Sequence, residues 1–97
     1  MAIRRIQPLN PTASVITTSS GQILSERYER YGCTFINISE NYITLRLDGT
    51  ASVDMYTGIT LTPGGTWTMD ETTLTNGIIY AKASGTGSTL CIQEFIS

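Results

Sequence analysis

The chain has 97 residues, a formal net charge of −2, no histidine and only 14% charged residues. A domain of this size has room for one hydrophobic core, and its slightly acidic balance argues against nucleic-acid binding, which needs clustered Lys and Arg. No stretch has the roughly 20 apolar residues of a membrane-spanning helix, and the N-terminus lacks the apolar segment of a signal peptide. We therefore expect a protein that is synthesised in the cytoplasm and binds neither nucleic acid nor membrane.

Residues 1–13 predict an extended arm, followed by one domain over residues 14–97. Pro8 and Pro11 lack the backbone donor that a central strand needs. The apolar residues of the arm recur every third position, as suits an extended or polyproline-like segment, and enclose a basic pair: Ile3, Arg4, Arg5, Ile6 and Leu9. We expect this line of side chains to dock on a neighbouring subunit or another partner.

The first half of the domain predicts strands, with one ambiguous segment. A β-branched run at residues 14–18 favours a first strand. Residues 22–31 fit either a short helix capped by Ser20 or a strand through Ile23-Leu24 followed by a charged loop. We favour strand and loop because the surrounding segments are all β. Residues 33–39 then carry apolar side chains on both faces, as in a strand that is covered on two sides.

The segment 42–48 alternates strictly and is predicted to be a strand with one buried face. Its apolar face carries Ile43, Leu45 and Leu47, and its polar face carries Tyr42, Thr44, Arg46 and Asp48. The two cysteines, Cys33 and Cys91, are interpreted as buried thiols. The alternative is a disulfide between them, which requires their strands to be neighbours.

Turn residues punctuate the second half of the chain, at Asp48-Gly49, Pro63-Gly64-Gly65, Asn76-Gly77 and residues 84–88. Pro63 presets φ and the following glycines permit positive φ, so residues 66–69 are predicted to return antiparallel to 59–61. Residues 52–56 fit a short strand or a bulged edge, and 84–88 a hairpin turn before a last strand over 89–96. This spacing is typical of an all-β antiparallel sandwich or jelly roll of about seven or eight strands.

No catalytic or ligand-binding pattern is present. Nucleophiles are normally activated by a base such as histidine, and the only adjacent carboxylates, Asp70-Glu71, point to opposite faces of a strand. Gly85–Ser88 precedes a strand rather than the helix of a phosphate site, and the glycosylation pattern Asn37-Ile-Ser39 is attributed to chance. We expect no enzyme activity, cofactor, metal or small-molecule substrate. Aromatic residues beside arginines are instead typical of protein interfaces, which adds to the arm residues the candidates Arg27, Tyr28, Arg30, Tyr31, Tyr42 and Arg46.

Five segments between residues 32 and 94 occur in a characteristic order: Ile36-Asn37-Ile38-Ser39, a strand from Tyr42 to Leu47, Gly58 to Gly65, Ile79 to Gly85, and a last strand that ends near Glu94. In this order they resemble small accessory virion proteins of tailed bacteriophages, which are β-sandwiches. The resemblance implies a capsid cement or decoration protein on the particle surface. Such a protein would form a homotrimer and bind the major capsid protein.

Two alternatives to a decoration protein stay open. The first is a tail, head-completion or fibre-base component of the same kind of particle. The second is a carbohydrate-binding module that uses an exposed tyrosine or Trp67, although Trp67 shares the phase of Met69 and is interpreted as a core residue.

Overall fold

A computed structural model describes residues 6–70 and 73–97, and in these ranges the chain forms nine strands and no helix. The predicted all-β class is confirmed. The strands are β1 (Gln7–Pro8), β2 (Thr12–Ile16), β3 (Gly21–Leu24), β4 (Arg30–Asn37), β5 (Ile43–Arg46), β6 (Ile59–Leu61), β7 (Thr66–Met69), β8 (Ile79–Ala83) and β9 (Ser88–Ile96).

The strands form two antiparallel sheets. Sheet A has the order β1–β9–β4–β7, with β2 pairing β9 further along the same edge as β1, and sheet B has the order β3–β8–β5–β6. Except between β5 and β6, each connection from β2 onward carries the chain from one sheet to the other. This arrangement of the eight strands β2 to β9 is that of a jelly roll.

The core lies between the two sheets and follows the period of two that strands impose. Sheet A contributes Cys33, Phe35, Met69, Leu90 and Ile92, and sheet B contributes Ile43, Leu45, Leu61, Ile79 and Ala81. Trp67 packs against this core, its ring stacked on that of Phe35 with centroids 6.0 Å apart. The core interpretation of Trp67 is therefore confirmed.

The two predicted hairpins in the second half are wrong. Gly64 has a φ of +75°, as its turn requires, but β6 pairs with β5 in sheet B whereas β7 pairs with β4 in sheet A. The backbone N–H of Gly64 donates to the carbonyl of Asn37, which draws the turn towards sheet A. Residues 84–87 likewise connect β8 in sheet B to β9 in sheet A.

The described part of the N-terminal arm lies along its own domain. β1 pairs with the end of β9, the Leu9 N–H donates to the Glu94 carbonyl, and β2 begins at Thr12 rather than at residue 14. The prediction that the arm leaves the domain is therefore wrong from Gln7 onward. Pro8 is tolerated because β1 is an edge strand. The predicted sites Ile3, Arg4 and Arg5, and also Glu71, lie outside the described residues.

Of two further segments, one has the predicted structure and the other does not form the predicted strand. The strand-and-loop alternative for residues 22–31 is confirmed, because β3 ends at Leu24 and an irregular loop follows. Residues 52–56 form no strand, although Val53 is buried. Its backbone N–H donates to Ser20 Oγ at 2.8 Å, which holds the segment on sheet B without strand pairing.

Candidate protein-interaction surfaces

Asn37 joins the end of β4 to the turn that follows β6. Its side chain is fully buried, and its Nδ2 donates to the carbonyl oxygens of Asn41 at 2.7 Å and of Leu61 and Thr62 at 3.1 Å. Its Oδ1 accepts from the backbone N–H of Ser39 at 3.0 Å and from the Ser39 hydroxyl at 2.7 Å. This saturated amide has a structural role and is not accessible to a glycosyl carrier.

Asn41 makes a second junction at the same end of the sandwich. Its Nδ2 donates to the Thr86 carbonyl at 2.9 Å and to Ser88 Oγ at 3.0 Å. A Cβ added at Gly85 would lie 2.7 Å from the Asn41 side-chain oxygen, so a larger residue there would displace the Asn41 amide. The Ser88 hydroxyl in turn donates to the Gly85 carbonyl at 2.8 Å. Three of the segments that carry the phage resemblance, at Asn37, Leu61 and Gly85, therefore meet in one hydrogen-bonded network that stabilises the fold.

Arg30, predicted as an interface residue, is only 2% exposed and that prediction is wrong. Its Nε lies 2.9 Å from Glu94 Oε2, and its Nη1 donates to the carbonyls of Thr75 at 2.9 Å and Gly77 at 3.0 Å. Its Nη2 donates to the Ser25 carbonyl at 2.6 Å. A buried charge is tolerated only when it is paired and hydrogen-bonded in this way, so Arg30 ties β4 to β9 and to two loops.

The loop before β4 has a fixed backbone and one very exposed side chain. Asn76 Nδ2 donates to the carbonyls of Arg27, Tyr28 and Arg30 at 3.0 to 3.1 Å, and Arg27 N–H donates to the Asn76 carbonyl at 2.8 Å. Tyr28 itself is 94% exposed. The loop therefore presents an aromatic side chain whose position is set by hydrogen bonds behind it.

Other predicted residues surround Tyr28. Arg27 lies 3.3 Å from Glu94 Oε2 and 3.6 Å from Glu29 Oε1. Tyr31 lines a shallow groove with Ile6, and that groove adjoins the loop. We refer to Ile6, Arg27, Tyr28 and Tyr31 together as the Tyr28 surface. Leu9 follows β1 and is half-buried beside β9, at the edge of sheet A.

The remaining two candidates, Tyr42 and Arg46, lie elsewhere, on sheet B. The Tyr42 ring meets Tyr56 edge to face with centroids 5.6 Å apart. Arg46 Nε donates to Asp48 Oδ1 at 2.9 Å, and its Nη1 donates to the Ser52 carbonyl at 2.7 Å. The hydrogen bond from Arg46, aided by a backbone N–H, lowers the pKa of Asp48 to about 2. These contacts hold the loop over residues 47–58 in place.

That loop covers part of the outer face of sheet B. Thr44, predicted on the polar face of its strand, is fully buried. The Tyr56 backbone N–H donates to Thr44 Oγ1 at 3.0 Å, and the hydroxyls of Thr44 and Thr60 share a hydrogen bond at 3.1 Å. The polar face of β5 is therefore covered at Thr44, because the 47–58 loop folds back over its own strand.

The outer face of sheet A differs from that of sheet B. Because Phe35 and Ile92 point into the core, their strand neighbours point outward. Within residues 6–70 and 73–97, these outward positions carry no charged side chain. We define the sheet A face by Ala13, Val15, Thr34, Ile36, Ile38, Thr66, Thr68, Thr89, Cys91 and Gln93.

Sequence reasoning did not list these residues as interface candidates, although one signal was available. The segment 33–39 predicts a strand that is covered on both faces. Its inner side chains are buried, but Ile36 and Ile38 remain exposed on the outer face of the described structure. The pattern therefore indicates a cover that this single chain does not supply from its described residues.

The cysteines do not form a disulfide, although β4 and β9 are neighbours. Cys33 points into the core and Cys91 points outward, so the sheet separates the two thiols. Burial, with a smaller contribution from Glu94, raises the pKa of the Cys33 thiol to about 12. Cys33 is therefore unreactive at neutral pH, since the thiolate is the reactive form.

Over the described ranges, no three His, Cys, Asp or Glu side chains are grouped as metal ligands, and no helix could span a membrane. Comparisons of the chain with protein-family models, curated proteins and solved structures found no match. The surfaces of the molecule therefore carry the functional argument.

Proposed function

We propose that this chain is a non-enzymatic structural protein of a tailed-phage particle, a capsid decoration protein that binds the assembled head through the Tyr28 surface. The observation that carries the proposal is the exposed Tyr28 side chain on a loop whose backbone is fixed by Asn76. The phage assignment itself rests on the resemblance described above, since a jelly roll alone does not determine a function.

The geometry of Tyr28 favours binding to another protein. Tyrosine is enriched at the energetic centres of interfaces, where it provides a large contact area at a small entropic cost. The loop that carries it is already ordered by hydrogen bonds, so little further ordering is needed on association. Arg27 is neutralised by Glu94 and Glu29, and we therefore expect contacts that depend weakly on salt.

The proposed mechanism is mass action. A protein that binds only the assembled, expanded shell stabilises that state by its binding free energy. The partners are the major capsid protein and further copies of this chain, and the protein is located on the particle surface. The homotrimer implied by the resemblance stays a prediction, which sedimentation of the purified protein tests.

Two other functions have less support. A tail, head-completion or fibre-base component would use the same surfaces but would be present in only a few copies per particle. A carbohydrate-binding module based on Trp67 is disfavoured, because this ring stacks on Phe35 against the core. The exposed tyrosines remain available to a glycan, and unchanged tyrosine fluorescence on glycan addition would exclude that use.

Co-sedimentation with phage heads tests the proposal. Expanded and unexpanded heads of the phage that encodes the chain, assembled without it, are mixed with the purified protein, and isolated tails serve as the matched sample. We expect saturable binding of many copies to expanded heads only. Binding to tails alone would support the second candidate, and binding to no particle would contradict both.

A further inference from the structure

We propose that the sheet A face is where a second copy of this chain packs. Two copies that meet through the same face form a two-fold contact, so the inference adds a pairwise contact to the proposed function and is separate from the homotrimer that the resemblance implies. It rests on the exposure and size of the sheet A face, on its lack of charged side chains, and on the loop that already covers part of sheet B.

Exposed β-branched side chains lie on this face on neighbouring strands. Val15 is 75% exposed on β2, and Ile38, just past β4, is 55% exposed. Thr89 of β9 lies between them, paired with Val15 and accepting a backbone hydrogen bond from Ile38. Covering these side chains would remove apolar surface from water, which is favourable at about 25 cal/mol per Å².

The absence of charge limits what can cover the face. A charged partner surface would lose its hydration on this face, where no described side chain carries an opposite charge to compensate. The same face on a second copy presents only threonines, aliphatic residues, a glutamine and a thiol. Two such faces can therefore meet without burying an unpaired charge, and their hydroxyls can hydrogen-bond to one another or to bridging water.

The dimensions fit a weak contact. The face spans four strands, but β2 has five residues and β7 has four. With strands about 4.8 Å apart and about five residues of 3.3 Å along each, the face measures roughly 300 Å². Two faces would bury on the order of 600 Å², less than a stable interface needs. We therefore expect weak association in solution, and nearly complete association only where copies are concentrated on a particle.

Sheet B cannot offer an equivalent contact. The 47–58 loop covers part of its outer face and buries Thr44, and the exposed part carries Arg46 and Lys82. Sheet packing between copies is therefore directed to sheet A. This assignment also supplies the second cover that the apolar pattern of residues 33–39 predicts.

Sedimentation of the purified chain without phage particles tests the inference. Over a range of about 10 µM to about 1 mM, we expect the average mass to rise with concentration, and Ile38→Arg to weaken association at least tenfold. The matched control is Tyr56→Arg, because Tyr56 is 62% exposed but lies on the 47–58 loop. Far-UV circular dichroism checks that both variants fold, and Val15→Arg replaces Ile38→Arg if the latter does not.

Alkylation of Cys91 gives an independent reading, since the other thiol, Cys33, is buried. We expect the rate at Cys91 to fall several-fold between dilute and concentrated protein, and to stay constant in Ile38→Arg. A chain that is monomeric at every concentration, or whose association is unchanged by Ile38→Arg, would overturn the inference. A monomer that still binds heads would overturn it and leave the proposed binding to the head intact, whereas a self-associating chain that binds no particle would do the reverse.

Discussion

Replacement of Asn37 by alanine tests whether the segment Ile36-Asn37-Ile38-Ser39 stabilises the fold. The substitution removes an amide that donates to the carbonyls of Asn41, Leu61 and Thr62 and accepts twice from Ser39. Water can reach Ser39 in part, so we assign most of the effect to the carbonyls. The two amide hydrogens are shared among three carbonyls and count as two hydrogen bonds. At about 1 kcal/mol for each, the free energy of unfolding should fall by about 2 kcal/mol.

This loss is large for a domain of 97 residues, which is expected to have about 5 to 15 kcal/mol in total. It corresponds to a fall in Tm of roughly 8 to 16 °C, measured by thermal and urea unfolding. Asn10→Ala, at an exposed position, is the control and should change stability by less than about 0.5 kcal/mol. Asn37→Asp keeps the shape but loses the donors, and should be at least as unstable as Asn37→Ala. An Asn37→Ala protein as stable as the control would refute the reasoning.

Three further substitutions probe other parts of the fold. Arg30→Ala should cost about 3 to 5 kcal/mol in urea unfolding because it breaks a buried ion pair and leaves the carbonyls of Ser25, Thr75 and Gly77 without their donor. Arg27→Ala, at a partly exposed pair with the same carboxylate, should cost less than about 1 kcal/mol; equal costs would contradict the account. Gly64→Val should cost about 1 kcal/mol or more because of its positive φ, and Gly21→Val, at ordinary φ with open space around it, should be milder; the reverse order would be contradictory. The pKa of about 2 for Asp48 lies below the unfolded value of about 3.9, so this carboxylate stabilises the fold above about pH 4 and the effect is lost as pH falls towards 2. The difference in urea midpoint between wild type and Asp48→Asn should shrink over that range, and a constant difference would contradict the assignment.

The local pattern predicts the strands better than their partners. The alternation at residues 42–48 and the turn at Gly64 depend on nearby residues. The alternation correctly predicts the apolar side chains of β5 that face the core, and the turn residues correctly predict a positive φ at Gly64. The same turn carries the chain into the other sheet, because the partner that holds it is Asn37 on a distant strand. Local turn chemistry is compatible with either a hairpin or a crossing, so sequence cannot choose between them.

The candidate surfaces were only partly predictable for the same reason. Tyr28 is exposed as predicted, but the buried state of Arg30 depends on Glu94, 64 positions away. Thr44 is covered by a loop that has no strand pattern of its own. The sequence of residues 33–39 shows apolar side chains on both faces of the strand. The core of the described structure buries only one of these faces. The missing information is in each case a long-range contact.

Binding of single-residue variants to expanded heads tests the central claim most directly. The measurement is the Kd of wild type, Tyr28→Ala and Tyr56→Ala for heads assembled without this chain. The two tyrosines are both exposed but lie on different surfaces. We expect Tyr28→Ala to weaken binding by about 2 kcal/mol, roughly thirtyfold, and Tyr56→Ala to bind as wild type does. Equal binding by all three proteins, or greater loss in Tyr56→Ala, would contradict the assignment of the Tyr28 surface as the contact with the head.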